Sequence, residues 1–213
     1  MEFILNLIYL PVCAFCGEIN YNFLCKKCEN KLRKIEKIKV EKYKNKYYNE
    51  HIYLYKYQDI RNEILKYKFK NKAYYHKSFS KIIVNNKKMC KILKSYDIII
   101  PVPIHKKRRK ERGYNQAELI AKEISKNILS LKYLDVLKKE KNTVAQSTLN
   151  KKERLNNLKN VYKIKDIKIN ELENKKVLIF DDIYTTGTTA NECAKVIKVL
   201  NPEKIGILTI AKD

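Results

Sequence analysis

One stretch of the chain decides its fold: Val177-Leu178-Ile179-Phe180-Asp181-Asp182-Ile183-Tyr184-Thr185-Thr186-Gly187-Thr188-Thr189. The four apolar residues that begin it are typical of a strand buried in a parallel sheet. Two carboxylates follow this predicted strand, Val177 to Phe180, and a threonine-rich turn leads into a predicted helix from about Thr188 to Leu200. A further strand is predicted from Ile205 to Ala211, so the segment alternates strand, loop, helix and strand.

The turn and the acid pair predict a sugar-phosphate site. A helix N-terminus has unpaired amides and the positive end of the helix dipole, and threonine hydroxyls add further donors. Carboxylates repel phosphate, so Asp181 and Asp182 suit vicinal sugar hydroxyls or a magnesium ion beside them. A ribose 5-phosphate suits both the threonine turn and the acid pair. The simpler alternative is an N-capped helix whose threonines are incidental. The residues predicted to hold the phosphate are Thr185, Thr186, Gly187, Thr188 and Thr189.

A second segment repeats this alternation and sets the predicted fold class. The apolar run from Asp97 to Pro103 predicts a buried strand, and a helix from about Asn115 to Ile128 carries one apolar stripe. Upstream, a strand is predicted from His51 to Tyr57 and two helices between Asp59 and Leu93. Strands that alternate with helices predict an α/β protein with a doubly wound, mainly parallel sheet, in which ligands bind beyond the carboxyl ends of the strands.

A basic run follows the strand that ends near Pro103. Six of the seven residues from Lys106 to Arg112 are cations, in a chain that otherwise uses mostly lysine. The planar arginine fork binds phosphate oxygens in pairs, so the run predicts a site for pyrophosphate or nucleic acid. A nuclear-localisation-like run is a further interpretation. The residues predicted to bind are Arg108, Arg109, Arg112 and Gly113.

Composition limits the class of protein. The 213 residues suit one domain with an appendage, and a hydrophobic fraction of 45% excludes wholesale disorder. Lys and Arg number 47 against 23 acidic residues, a net charge of +24 that attracts polyanions such as nucleic acid. The apolar stretch from Phe3 to Val12 is too short to span a bilayer and lacks the cationic start of a signal peptide. We therefore expect a cytoplasmic protein without membrane insertion.

Two cysteine pairs near the N-terminus predict a metal site. Cys13, Cys16, Cys25 and Cys28 form two C-x2-C turns separated by eight residues. Four thiolates close a tetrahedral site, which favours structural zinc; an iron site, disulfides and redox use are the alternatives. The predicted organisation is a zinc-binding module over 1–30, a helical connector over 31–50 and an α/β domain over 51–213.

The stretch from Val177 to Thr189 resembles the phosphoribosyl-pyrophosphate (PRPP) binding motif of type I phosphoribosyltransferases. Three further motifs extend the resemblance to the ComF family over most of the chain: the cysteine pairs, Pro101-Val102-Pro103-Ile104-His105, and Arg112-Gly113-Tyr114-Asn115-Gln116-Ala117-Glu118. That family joins a zinc module to a phosphoribosyltransferase fold and is associated with DNA uptake in natural transformation. The resemblance implies that Asp181 and Asp182 are catalytic residues that hold the ribose, with magnesium and PRPP as ligands.

The segment from Lys141 to Leu149 and the residues after it look like the flexible loop of that family. The residues that the resemblance assigns to this loop are Gln146, Arg154 and Asn157. Lys141 stands where arginine is usual and is left out of the predicted site.

Two functions follow as expectations. The first is a ComF-like protein that binds PRPP with magnesium and single-stranded DNA, acts in DNA uptake and has a competence helicase as a partner. The second is an active phosphoribosyltransferase of nucleotide or salvage metabolism whose acceptor the sequence does not identify. Steep salt dependence of oligonucleotide binding would support a DNA-binding role, because phosphate contacts release counterions.

Overall fold

The computed structural model describes residues 11–70, 72–141, 161–165 and 169–213. Its helices are α1 Lys26–Ile35, α2 Tyr57–Phe69, α3 Tyr75–Val84, α4 Lys87–Leu93, α5 Lys106–Arg112, α6 Gln116–Asn127 and α7 Thr188–Lys198, with a 3-10 turn at Ile169–Leu172. Its strands are β1 Lys39–Lys42, β2 Glu50–Lys56, β3 Ile98–Pro101, β4 Lys132–Tyr133, β5 Leu137–Lys139, β6 Tyr162–Ile164, β7 Lys176–Tyr184 and β8 Lys204–Lys212. None of the described helices has both the length and the apolar character needed to cross a membrane.

A six-stranded sheet forms the centre of the molecule, in the order β1-β2-β8-β7-β3-β4. All neighbours are parallel except β1, which runs antiparallel to β2. The strand β7 lies between β8 and β3, where Ile179 pairs with Ile207 on one side and Ile100 on the other. A separate antiparallel pair joins β5 to β6. This arrangement confirms the predicted α/β class and the mainly parallel sheet.

Helices cover both faces of the sheet. Successive side chains of a strand point to opposite faces, so Leu178 and Phe180 pack into one core together with α3 and α6. Val177 and Ile179 pack into the other core with the inner face of α7. Because each face is covered, the predicted doubly wound topology is confirmed.

The predicted helical connector over 31–50 is helical only as far as Ile35. The helix α1 ends at Ile35, and Lys39–Lys42 then forms the edge strand β1. The lysine-rich composition favoured a helix, but long-range partners outweigh this local preference. Glu41 on β1 binds Lys212 Nζ at 2.6 Å and accepts a hydrogen bond from the Tyr53 hydroxyl at 3.0 Å.

The stretch between Asp59 and Leu93 contains three helices instead of the two that were predicted. The additional boundary lies between α3 and α4. There Asn86 acts as an N-cap, because its side-chain oxygen accepts a hydrogen bond from the Met89 amide at 3.0 Å. The apolar spacing on both sides of Asn86 is continuous enough to resemble one longer helix.

The cysteine-rich segment packs directly on the α/β core. Cys13, Cys25 and Cys28 belong to the same apolar cluster as the buried residues of α3. The Ala14 amide donates to the Ser78 hydroxyl at 3.1 Å, and the Phe15 ring meets the Phe79 ring edge-on at a centroid distance of 5.6 Å. Loss of order in the cysteine turns would therefore expose part of the main core.

Candidate functional site

A cleft of about 560 Å³ lies at the carboxyl ends of β3 and β7. Charged or polar side chains reach it from several elements, among them α2, α5, β5, β7 and the start of α7. The cleft brings together the acid pair, most of the threonine loop and part of the basic run, which are distant in sequence. The charged and polar lining residues include Arg61, Lys68, Arg108, Arg112, Lys139, Asp181, Asp182, Thr185, Thr188 and Thr189.

The acid pair lies within β7 and not beyond its end, because the strand continues to Tyr184. Asp182 is 5% exposed, and its Oδ1 atom lies 3.0 Å from Lys68 Nζ on α2. Asp181 is partly exposed in the cleft, and its Oδ1 atom accepts a hydrogen bond from the Asp182 amide at 2.9 Å. The two carboxylates are therefore not equivalent, since Asp182 has a cationic partner.

The ionisation of Asp181 is shifted in this setting. Burial raises the pKa of Asp181 to about 7, and the adjacent Asp182 carboxylate acts in the same direction. Lys68 opposes the shift. A magnesium ion or a cationic ligand group near Asp181 would favour the ionised form.

We expect the folding stability of the Asp181→Asn variant to depend less on pH than that of the wild type. The unfolded chain releases this proton near pH 4 and the folded chain near pH 7, so the wild-type free energy of unfolding falls as the pH rises between these values. Denaturant titrations at about pH 5 and about pH 8 should show a difference smaller in the variant by on the order of 2 kcal/mol. The exposed Glu203→Gln variant is the control, and equal slopes in all three proteins would contradict the prediction.

The threonine loop opens helix α7. Gly187 adopts a left-handed conformation, with φ of 74°, at the N-cap position. A β-carbon at this position would overlap the Tyr184 hydroxyl, so only glycine fits. Thr185, Thr188 and Thr189 line the cleft, while the Thr186 hydroxyl lies 2.8 Å from that of Thr188.

The basic run forms the helix α5. Spacing of four residues directs Arg108 and Arg112 into the cleft. Arg109 lies on another face, where its Nη1 atom meets Glu118 Oε2 at 2.7 Å. Gly113 ends the helix in a left-handed conformation with φ of 81°, and its amide donates to the Arg109 carbonyl. The structure therefore brings two of the four predicted residues of this run to the cleft.

The contribution of α2 to the cleft was not predicted from the sequence. Tyr57, Arg61, Leu65 and Lys68 form one stripe of this helix along the cleft, and Phe69 extends it. The signal available in the sequence was Arg61, because arginine is rare in this chain and lysine common.

The pair β5 and β6 also contributes residues that were not predicted. Lys139 and Tyr162 line the cleft. Burial lowers the pKa of Lys139 to about 8, and the nearby Arg108 acts in the same direction. The predicted flexible-loop residues Gln146, Arg154 and Asn157 lie outside the described residues.

The four N-terminal cysteines form a compact cluster. Their Sγ atoms lie within 4.8 Å of one another, and those of Cys16 and Cys25 are 3.7 Å apart. Zinc with four thiolates at about 2.3 Å requires sulfur atoms about 3.8 Å apart, so these residues fit the ion. The Cys28 amide also donates to the Cys25 sulfur at 3.4 Å. Such a closed set of four ligands suits a structural metal.

Comparison with known proteins finds a domain family and competence proteins that are similar to this chain. The family model described as a phosphoribosyl transferase domain matches residues 110–213. Competence protein F of Haemophilus influenzae is 33% identical over 70% of this chain and 66% of its own length. Competence protein ComFC of Bacillus subtilis is 31% identical over 68% of this chain and 56% of its own.

A more distant relative is the DNA utilization protein YhgH of Escherichia coli O157:H7. It is 29% identical over 47% of this chain and 43% of its own length. The chain thus matches less than two thirds of the length of each of these curated relatives.

Proposed function

The chain belongs to the ComF family, and on this premise we propose that it binds PRPP with magnesium and single-stranded DNA and acts in DNA uptake during natural transformation. The observation that carries the proposal is the single cleft in which the acid pair, the threonine loop and two arginines converge. The names of the relatives support the cellular role, since they are competence and DNA utilization proteins.

Each part of PRPP finds a complementary group in the cleft. The amides and hydroxyls at the start of α7 would hold the 5-phosphate, because a helix N-terminus favours an anion. Asp181 and Asp182 would accept hydrogen bonds from the ribose hydroxyls. Arg108 and Arg112 would bind the pyrophosphate oxygens.

Magnesium fits the acid pair as well, because carboxylate oxygens and ligand phosphates are its usual partners. When bound, the ion supplies positive charge that offsets the negative charge of the pyrophosphate. Lys68 holds Asp182 in place through its 3.0 Å contact, so the orientation of this carboxylate does not depend on the ligand. We further propose that zinc occupies the four-cysteine cluster as a structural ion.

The DNA-binding part of the proposal is supported by charge. The net charge of +24 favours a polyanion, and α5 carries six cations with no buried side chain. The competence helicase remains a prediction as a partner.

Calorimetric titration of PRPP with magnesium tests the proposal directly. We expect micromolar binding by the wild type and a loss of about 100-fold or more in the Asp181→Asn, Asp182→Asn variant, because both ribose contacts and the magnesium ligands disappear. The Asp135→Asn variant, which alters an exposed carboxylate in an ion pair with Lys165, is the control. Absence of PRPP binding to folded, metal-loaded wild type would overturn the proposal.

The alternative function, phosphoribosyl transfer, would use the same cleft but would also release pyrophosphate from PRPP. Turnover releases pyrophosphate when the acceptor is present, so pyrophosphate release during incubation with nucleobases distinguishes an enzyme from a binding protein. PRPP binding without release would favour the DNA-uptake role.

A further inference from the structure

We propose that the cleft receives the 5′-phosphorylated end of single-stranded DNA, with the terminal phosphate in the threonine loop and the rest of the strand leaving over α5. The inference rests on the proposed function, because it uses the same phosphate site. PRPP and DNA therefore compete for one cleft. We also expect the protein to recognise a strand terminus and not any internal segment.

The phosphate site suits a terminal group because its inner side is closed. Gly187 and Thr188 are buried, and the Tyr184 side chain lies directly against Gly187. The Tyr184 hydroxyl is fixed by the Tyr48 hydroxyl at 2.7 Å, and its ring stacks on His51 at a centroid distance of 4.0 Å. An internal phosphodiester needs room for the chain on both sides, whereas a terminal monoester needs it on one. The monoester also carries more charge to meet the amides of α7.

The mouth of the cleft provides a surface on which a base can stack. Phe69, at the end of α2, lines the cleft and is 67% exposed, so its ring is accessible to a ligand. The Arg112 guanidinium lies over its ring at 5.2 Å from the centroid. Aromatic rings and arginine planes are the groups on which single-stranded bases stack. A nucleotide whose phosphate lies in the loop would have its base at this edge of the cleft.

The charges next to the acid pair permit a second phosphate nearby. A 5′-terminal nucleotide in DNA carries the next phosphate on its 3′ oxygen, so a free carboxylate pair there would repel the strand. Lys68 neutralises Asp182 at 3.0 Å. Burial lowers the pKa of the Arg112 guanidinium, and the attraction of the nearby Asp182 carboxylate opposes this shift. Later phosphates would meet the exposed side of α5, where Lys106, Lys107 and Lys110 face solvent.

Fluorescence anisotropy with the full chain tests the inference. The probes are two oligodeoxythymidines labelled at the 3′ end, one with a 5′-phosphate and the other with a 5′-hydroxyl. We expect about 10-fold or greater preference for the phosphorylated probe, which is the effect expected of one charge-assisted hydrogen bond. Ribose 5-phosphate should displace the phosphorylated probe, and a 3′-phosphorylated, 5′-labelled oligonucleotide should bind as weakly as the 5′-hydroxyl probe.

Two variants and one control connect the preference for a 5′-phosphate to the threonine loop and to Phe69. Thr185→Val removes an exposed loop hydroxyl and should reduce the preference for the 5′-phosphate. Phe69→Ala should weaken both probes by a similar factor, on the order of 10-fold, because it removes stacking and not the phosphate contact. Leu129→Ala removes a side chain that is 93% exposed and does not line the cleft, and should leave both affinities unchanged.

The outcomes separate this inference from the proposed function. Equal affinity for both probes without displacement by ribose 5-phosphate, in protein that still binds PRPP, would overturn the inference and leave PRPP binding intact. Failure to bind PRPP and either oligonucleotide would overturn both. A 5′-phosphate preference that is unchanged in Thr185→Val and not displaced by ribose 5-phosphate would place the phosphate elsewhere and overturn the inference.

Discussion

The Cys28→Ser variant is expected to lose its bound metal and to melt at a temperature lower by about 10 °C or more. Removing one of four thiolate ligands opens the site, and structural zinc contributes directly to folding free energy. Cys28 is also 8% exposed and belongs to the core cluster that includes Phe79. A loss of ~3–5 kcal/mol would produce a melting shift of this size in a chain of this length.

The measurements are metal content by plasma mass spectrometry and thermal unfolding by circular dichroism. Cys90→Ser is the matched control, because this thiol lies outside the metal cluster and donates to the Val84 carbonyl at 2.8 Å, as a serine hydroxyl also can. Since the cysteine turns contact α3, unfolding should be a single transition that shifts as a whole. Unchanged metal content and melting temperature in Cys28→Ser would refute the zinc proposal.

The Gly187→Ala variant is expected to bind PRPP at least ~100-fold more weakly and to lose ~2–4 kcal/mol of stability. A β-carbon there overlaps the Tyr184 hydroxyl. That hydroxyl cannot easily move, because Tyr184 is 6% exposed, hydrogen-bonded to Tyr48 and stacked on His51. The loop must shift instead, which moves the amides that would hold the phosphate.

Gly113→Ala separates backbone strain from steric overlap. Gly113 has a φ of 81°, close to the 74° of Gly187, but no atom lies within 4 Å of a β-carbon placed on it. This control should lose only ~1 kcal/mol of stability, because alanine is strained in the left-handed conformation. Calorimetry with PRPP and denaturant unfolding measure the two effects. Similar losses of stability in both variants would show that the Tyr184 contact is unimportant.

The local sequence pattern was sufficient to predict the structure where the functional residues lie in one continuous segment. The strand β7, the acid pair and the start of α7 are adjacent in sequence, so apolar run length and the glycine position predict their structure. The cysteine turns are similar, because two C-x2-C pairs define a four-ligand cluster with little information from the rest of the chain. The strand end alone was misplaced, since β7 continues through the acid pair to Tyr184 under the control of its pairing with β8.

Sequence pattern did not predict the structure where contacts with residues distant in the chain decide it. The edge strand β1 has a helix-like composition and becomes a strand because Glu41 finds Lys212 and Tyr53 on neighbouring strands. The sequence does not distinguish Arg109 from Arg112. In the structure Arg109 forms an ion pair with Glu118, and Arg112 lines the cleft.

The sequence by itself determined the fold class, the acid pair with its threonine loop, and the four cysteines, because each depends on spacing within a short segment. Only the tertiary structure decided that α2 forms a wall of the cleft, that Lys68 neutralises Asp182, and that Phe69 stands exposed at the mouth. These features depend on how α2 packs against a sheet whose strands β7 and β8 lie more than a hundred positions away in the sequence. The free energy of such contacts comes from burial and charge pairing between segments, which periodicity along one segment does not encode.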